Sequence, residues 1–369
     1  MACEIECSVC GQPSENLLDF KCGSCGQPLD VKLHFDFKPT KIYETHHSVW
    51  RYARLLPYVK ENEIITLGEG WTPLVKFSKK VHFKLENLNP TGSFKDRGST
   101  VLISALHKTI KKARGYMSED SSGNAGASMA AYAAHADLRA KIYVPETVSG
   151  PKFNQIQFYG AEVTKVSGSR TKVAEEAQKA EKKKFYLGHI FHPLFRDGIR
   201  TLAYEIAEQS GWNVPERVYL PVSAGTLLLG VISGFNHLKD SGIMDKTPKI
   251  MACQTQQVSP LYHRLKNIRY KPPEHVTSIA DALVSTHPPL LDLMVKKLKE
   301  ADGDAVMVSE DETSKAFLEL AKKGFFVEPS SAVAYAGYKK HLEDGKTSEA
   351  EHATIVLTGT GLKTTLKPK

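Results

Sequence analysis

The sequence predicts an α/β protein with open parallel sheets, preceded by a small cysteine-rich module. Three observations carry this. Short apolar runs alternate with amphipathic segments from Tyr43 onward, glycine- and serine-rich turns follow several runs, and four of the six cysteines form two close pairs within the first 25 residues.

The strand-like runs are Val81–Leu85, Lys141–Pro145, Lys249–Cys253, Ala305–Val308 and Thr354–Leu357. Between them lie helical patterns such as Thr171–Lys184 and Thr313–Lys323. Strands alternating with helices of that size imply right-handed crossovers, with ligands at the carboxyl ends of the strands. Arg217 and Lys239 enclose 21 uncharged residues, long enough to span a bilayer. Pro221, Ser223, Gly225 and Thr226 interrupt the run. It therefore reads as a strand at Val218–Pro221, a tight loop and a buried helix.

Length and composition fit this picture. The chain has 369 residues, 41% hydrophobic and 24% charged, which argues against a disordered or fibrous protein. The formal net charge of +8 is spread along the chain. Its densest clusters, Lys108–Arg114 and Lys182–Lys184, fall near helix ends, where lysine complements the dipole. Nucleic-acid binding is not expected. No apolar segment with a basic preface opens the chain, so a soluble cytoplasmic protein is expected, without a membrane partner.

Cys7-Ser8-Val9-Cys10-Gly11 and Cys22-Gly23-Ser24-Cys25-Gly26 are two C-x2-C-G knuckles separated by 11 residues. Four thiolates at this spacing suit tetrahedral zinc, and a site of four protein ligands leaves no position for substrate, so the metal is structural. Cys3 and Cys253 stand apart from the pattern.

The segment from Asn89 to Gly98 reads N-P-T-G-S-F-K-D-R-G, ending a strand and opening a helix. Ser93 and Asp96 form an S-x-x-D capping box, which makes Ser93 the N-cap and puts Lys95 at the positive end of the helix dipole. A cation there is disfavoured, so the amine should have a lowered pKa and be suited to Schiff-base chemistry. A second constellation is Ser121-Ser122-Gly123-Asn124-Ala125-Gly126, whose small residues leave a backbone-lined surface for an anion or a planar ring. Ser223-Ala224-Gly225-Thr226 follows a strand and can cradle a phosphate, and Leu357-Thr358-Gly359-Thr360-Gly361 follows the last one.

In this order, and with Glu328-Pro329-Ser330-Ser331-Ala332 between the last two, the motifs resemble the fold-type II (tryptophan synthase beta-like) pyridoxal-phosphate enzymes, and among them the threonine synthases. Archaeal-type members of that family also carry an N-terminal zinc ribbon. Ser48–Tyr52 and Gly68–Leu74 extend the similarity upstream. The resemblance implies two open twisted-sheet lobes: a ribbon at 1–35, a large cofactor-binding lobe at 36–95 and 191–369, and a small lobe at 96–190. It also implies a homodimer. Lys95 would bond pyridoxal 5'-phosphate covalently and, once released by substrate, shuttle protons. Asn124 would meet the cofactor's phenolic oxygen, residues Ser223, Ala224, Gly225 and Thr226 its phosphate, and Thr358 its pyridine nitrogen. Ser121, Ser122 and Arg196 would meet an amino-acid substrate, expected to be phosphorylated.

The family reaction converts O-phospho-L-homoserine and water to L-threonine and phosphate. Some positions depart from the family pattern. Ala125 stands where threonine is common, Arg196 is displaced by one position, and Glu119-Asp120 precede Ser121 with charges that would oppose an anionic substrate. These keep open a related enzyme that dehydrates threonine or serine, or performs β-replacement as a cysteate or cysteine synthase does. An inactive zinc-ribbon binding protein is a third reading.

Overall fold

The computed structural model describes residues 3–365. In chain order the strands and α-helices are β1 (Cys3–Cys7), β2 (Pro13–Ser14), β3 (Leu29–Leu33), β4 (Leu74–Lys76), β5 (Val81–Lys84), α1 (Lys95–Lys112), β6 (Tyr116–Glu119), α2 (Asn124–His135), β7 (Ala140–Pro145), α3 (Pro151–Phe158), β8 (Glu162–Val166) and α4 (Arg170–Gln178). There follow β9 (Lys184–Tyr186), α5 (Pro193–Gln209), β10 (Arg217–Pro221), α6 (Thr226–Asp240), β11 (Lys249–Thr255), α7 (Pro260–Leu265), α8 (Leu291–Glu300), β12 (Asp304–Val308), α9 (Glu310–Lys322), α10 (Pro329–Glu343) and β13 (Ala353–Val356).

The chain forms two compact units, one of residues 1–70, 89–199 and 365–369, the other of 71–88 and 200–364. The first contains the antiparallel ribbon sheet β2-β1-β3 and a parallel sheet in the order β8-β7-β6-β9. Helix α4 packs on β7, with Val173 and Ala177 meeting Tyr143, Val166 and Tyr186 in a small core. The sequence expectation of a helix continuing to Lys184 is corrected here. The helix ends at Gln178, because Lys183 takes a left-handed φ of 67° and Lys184 already pairs with Tyr116 as a strand. Lys184 instead donates from Nζ to the Glu176 carbonyl at the helix end, 2.9 Å away.

The second unit is built on a sheet in the order β12-β11-β10-β13-β5-β4, parallel except for the β4–β5 pair. Its core includes Phe83, Tyr219, Met251, Val306, Ile355 and residues 332–336 of α10. Strands β10, β11 and β13 are buried on both faces along almost all their length, which is why they read as mainly apolar runs. The uncharged run resolves into β10 and α6, as its interruptions imply. Among the described residues no helix is long and apolar enough to cross a membrane. Lys84 and Glu205, both without solvent exposure, pair at 2.8 Å inside this unit. Lys84 also donates to the Thr72 carbonyl and Gln209, while Glu205 accepts the Trp71 amide, so the buried charges carry the hydrogen bonds that make their burial tolerable.

Candidate active site

Lys95 is the first residue of α1. The expected capping box does not form: Phe94 precedes the helix in a helical conformation, with no side-chain cap. Asp96 turns the other way. Its carboxylate accepts from the Thr91 amide (2.7 Å), the Thr91 hydroxyl (2.5 Å) and the Ser128 hydroxyl (2.6 Å). Buried donors close in three dimensions outcompete a local cap, and they fix both the loop before Lys95 and the start of α1 against α2. Ser93 Oγ is left buried with no hydrogen-bond partner among the described residues. Two residues from Lys95, such a hydroxyl suits a polar group arriving with a ligand.

Lys95 as a residue is half-buried, and its amine lies 4.7 Å from the Phe94 ring centre and 5.9 Å from that of Phe195. Burial lowers its pKa to about 8, partly opposed by the charge of Glu119. The direction is the expected one, and its cause is desolvation of the amine. Phe195 reaches this place because residue 98 is glycine: a Cβ there would come within 2.5 Å of the ring.

Ser121, Ser122 and Asn124 follow the end of β6 and lead into α2, each partly buried. The turn is tight, since a Cβ on Gly126 would meet the Ser121 carbonyl at 1.8 Å. The two acids just before it are not loose negative charges facing this loop. Glu119 pairs with His189 (2.7 Å), and Asp120 accepts from Arg170 (2.8 Å) and the Tyr186 hydroxyl (2.6 Å). Asp120 is thus offset by the Arg170 cation, whereas Glu119, bonded to an imidazole that burial keeps neutral, retains its charge when ionised.

Arg196 lies near the start of α5 and is buried. Its guanidinium donates to the carbonyls of Ile190 (3.0 Å), Phe191 (3.1 Å) and Leu29, 4.0 Å from Asp30. The side chain expected to meet substrate is here engaged by the chain's own oxygens, and it holds β3 of the ribbon. Glu69, from the upstream motif, is likewise a structural hub: it accepts from Trp50 Nε1 (3.1 Å), the Leu67 amide (2.8 Å) and the Tyr132 hydroxyl (2.7 Å).

In the second unit, Ser223 and Ala224 lie in the loop between β10 and α6, with Gly225 as the residue before Thr226. Gly225 has a left-handed φ of 98°, and a Cβ on it would meet Met294 at 2.3 Å. Only glycine suits that position, which turns the first amides of α6 toward the loop. Thr358 is buried after β13, its hydroxyl 2.9 Å from that of Ser331, which also accepts the Gly359 amide at 2.8 Å. Two motifs far apart in sequence thus meet at the carboxyl end of one sheet. Lys95, Ser121, Ser122, Asn124 and Arg196 belong to the first unit, residues 223–226 and Thr358 to the second.

In the ribbon, the sulfur atoms of Cys7, Cys10, Cys22 and Cys25 all lie within 4.8 Å of one another. The Val9 and Cys10 amides point at Cys7 Sγ (3.5 and 3.4 Å), as they do at a metal-bound thiolate. The donor set and its size fit tetrahedral zinc.

Sequence reading missed His189, Phe195 and the hub role of Asp96. Glu119, Gly98 and Ser128, which meet them, lie 32 to 97 residues away in sequence, and no local pattern marks these contacts.

Residues 65–359 match the family model of pyridoxal-phosphate dependent enzymes. The threonine synthase of Methanocaldococcus jannaschii is 34% identical over 88% of this chain and 82% of its own, and that of Methanosarcina acetivorans 32% identical over 86% and 80%. The fold is shared with maize serine racemase (TM-score 0.65, 22% identity, 84% of this chain and 91% of that one). It is shared too with a processed threonine deaminase isoform from Solanum lycopersicum (TM-score 0.67, 20% identity, 88% and 86%). With a crowded lysine opening α1 and glycine-shaped loops at the strand ends, the chain belongs to the pyridoxal-phosphate dependent enzymes of fold type II, within the threonine synthase family.

Proposed function

We propose that this protein converts O-phospho-L-homoserine and water to L-threonine and phosphate. The observation that carries the reading is the match to threonine synthases along most of the chain, with Lys95 at the head of α1 and its amine near neutrality. Pyridoxal phosphate, when bound, supplies the electron sink for breaking a C–H bond beside the amino group. Lys95 would hold the cofactor and then move a proton between substrate carbons. Asn124, the amides of residues 223–226 and Thr358 would orient it, and Thr358, a neutral hydroxyl, does not force protonation of the ring. Ser121 and Ser122 would meet the substrate carboxylate. Cys7, Cys10, Cys22 and Cys25 would hold a structural zinc ion. The same reading keeps the ribbon at 1–35 as its own module beside lobes at 36–95 with 191–369 and at 96–190. It makes the enzyme a cytoplasmic homodimer.

A second reading, dehydration of threonine or serine, is favoured by one observation: both terminal nitrogens of the Arg196 guanidinium donate to carbonyl oxygens of the chain, and only the buried Nε has no partner among the described residues, so most of that cation is already engaged. Product analysis on phosphohomoserine, phosphoserine, threonine and serine decides between them. Threonine and phosphate in equal yield are expected from the first. Ketoacid from threonine or serine without phosphate release would replace the first reading with the second. Lys95→Ala should be colourless and inactive, and a variant that keeps its visible absorbance would remove Lys95 from the reading.

A further inference from the structure

Glu119 closes β6 and is fully buried. One carboxylate oxygen accepts the backbone N–H of His189 at 2.8 Å, and the other lies 2.7 Å from His189 Nδ1. The His189 ring stands edge-on to Phe195 with centres 5.7 Å apart, and Lys95 Nζ lies 5.9 Å from the same ring. Amine and imidazole thus flank one aromatic side chain. A backbone N–H can only donate, so the Glu119 oxygen facing it must accept, and an ionised carboxylate accepts the Nδ1 proton as well. Because burial keeps the imidazole uncharged, His189 then carries its proton on Nδ1, with its Nε2 lone pair left over.

The other charges facing this pair are accounted for. Glu119 feels Arg170 and Lys95 as well as His189; His189 feels Lys95, Asp120 and Arg170. Asp120 is engaged by Arg170 and Tyr186, with Lys21 in electrostatic range. Burial pushes Glu119 up to about 7 and holds His189 well below the usual imidazole range, so above neutral pH the pair carries one negative charge, on the carboxylate.

We propose that Glu119 and His189 are positioning residues for Lys95: the carboxylate holds His189 as its Nδ1–H tautomer and keeps a proton on the Lys95 nitrogen. The inference rests on the reading that Lys95 carries the cofactor. It goes beyond that reading in naming what sets the protonation of the nitrogen.

The test is a pH titration of the visible absorbance of the full-length protein with pyridoxal phosphate bound. Glu119→Gln, which removes the charge but keeps the shape, should lower the midpoint by about one pH unit, a tenfold change in protonation. Glu119→Asp should restore it to within about 0.3 unit of the unsubstituted protein. An unchanged midpoint in Glu119→Gln, or an equal fall in both variants, would overturn the proposal. Should Glu119→Gln not fold, nitrogen-15 spectra of the unsubstituted protein decide. A neutral Nδ1–H tautomer of His189 at pH 8 supports the pair, and an Nε2–H tautomer or an imidazolium there defeats it. Failure of the functional reading looks different: ketoacid as product, or no visible absorbance at all, leaves the nitrogen spectra free to test the pair.

Discussion

The Asp96 carboxylate and the Ser128 hydroxyl, 2.6 Å apart and both buried, tie the helix that begins at Lys95 to the helix that begins at Asn124. The same carboxylate receives both donors of Thr91, so one side chain sets the loop before the lysine and the spacing of two helices. Asp96→Asn keeps the volume but turns part of the acceptor into a donor facing donors. A loss of about 2–3 kcal/mol is expected, read as a lower denaturant midpoint, with weaker cofactor retention. A variant as stable as the original would show that Asp96 is not the tie.

Lys95 makes the cofactor-free protein pH-sensitive in a defined direction. Its folded pKa, about 8, lies below the ordinary 10.5, so its stabilising contribution is present above 10.5 and is lost as pH falls through 8. The charged amine is then a burden at pH 7, reduced by the residue's partial exposure to on the order of 1–2 kcal/mol. Lys95→Met should therefore be the more stable chain at pH 7, with the advantage shrinking toward pH 10.5. Denaturation at both pH values measures this, and an advantage independent of pH would rule out the amine as its cause.

The ribbon bears on the first unit through more than its cysteine cluster. Phe20 meets Tyr186 with ring centres 4.8 Å apart, Lys21 stands 4.3 Å over Phe191 and donates to Gln178 at 2.9 Å, and Arg196 donates to the Leu29 carbonyl. One tightly held zinc per chain is expected from elemental analysis. Cys22→Ser should abolish it and lower Tm, at roughly 2–4 °C for each kcal/mol lost. Arg196→Ala should lower Tm with the zinc still bound, because it strands three carbonyls. If Arg196→Ala leaves Tm unchanged while raising KM for the substrate, the arginine serves the substrate after all.

Much of the fold was legible because it is local. Strands buried on both faces show as unbroken apolar runs, glycines with left-handed φ mark the turns, and cysteine pairs announce a metal module before any contact is known. The positions of Lys95, the Ser121–Asn124 turn, the 223–226 loop and Thr358 at strand or helix ends follow from the same local signals. What the local pattern misread was the polar partner that a few side chains choose within the chain. Ser93-x-x-Asp96 has the pattern of a capping box, yet Asp96 bonds to Thr91 and Ser128, because three buried donors outweigh one local amide. Glu119 and Asp120 look like a charge beside an anion site, yet His189, Arg170 and Tyr186 take them up from up to 70 residues away. Arg196 has the chemistry of a phosphate ligand and the location of a ribbon anchor. The elements, the cysteine module and the lysine could be read from the chain alone, since each depends on residues within one helical turn or one loop. Only the tertiary structure decided the environment of that lysine, because desolvation and charge pairing depend on distances that chain packing alone sets.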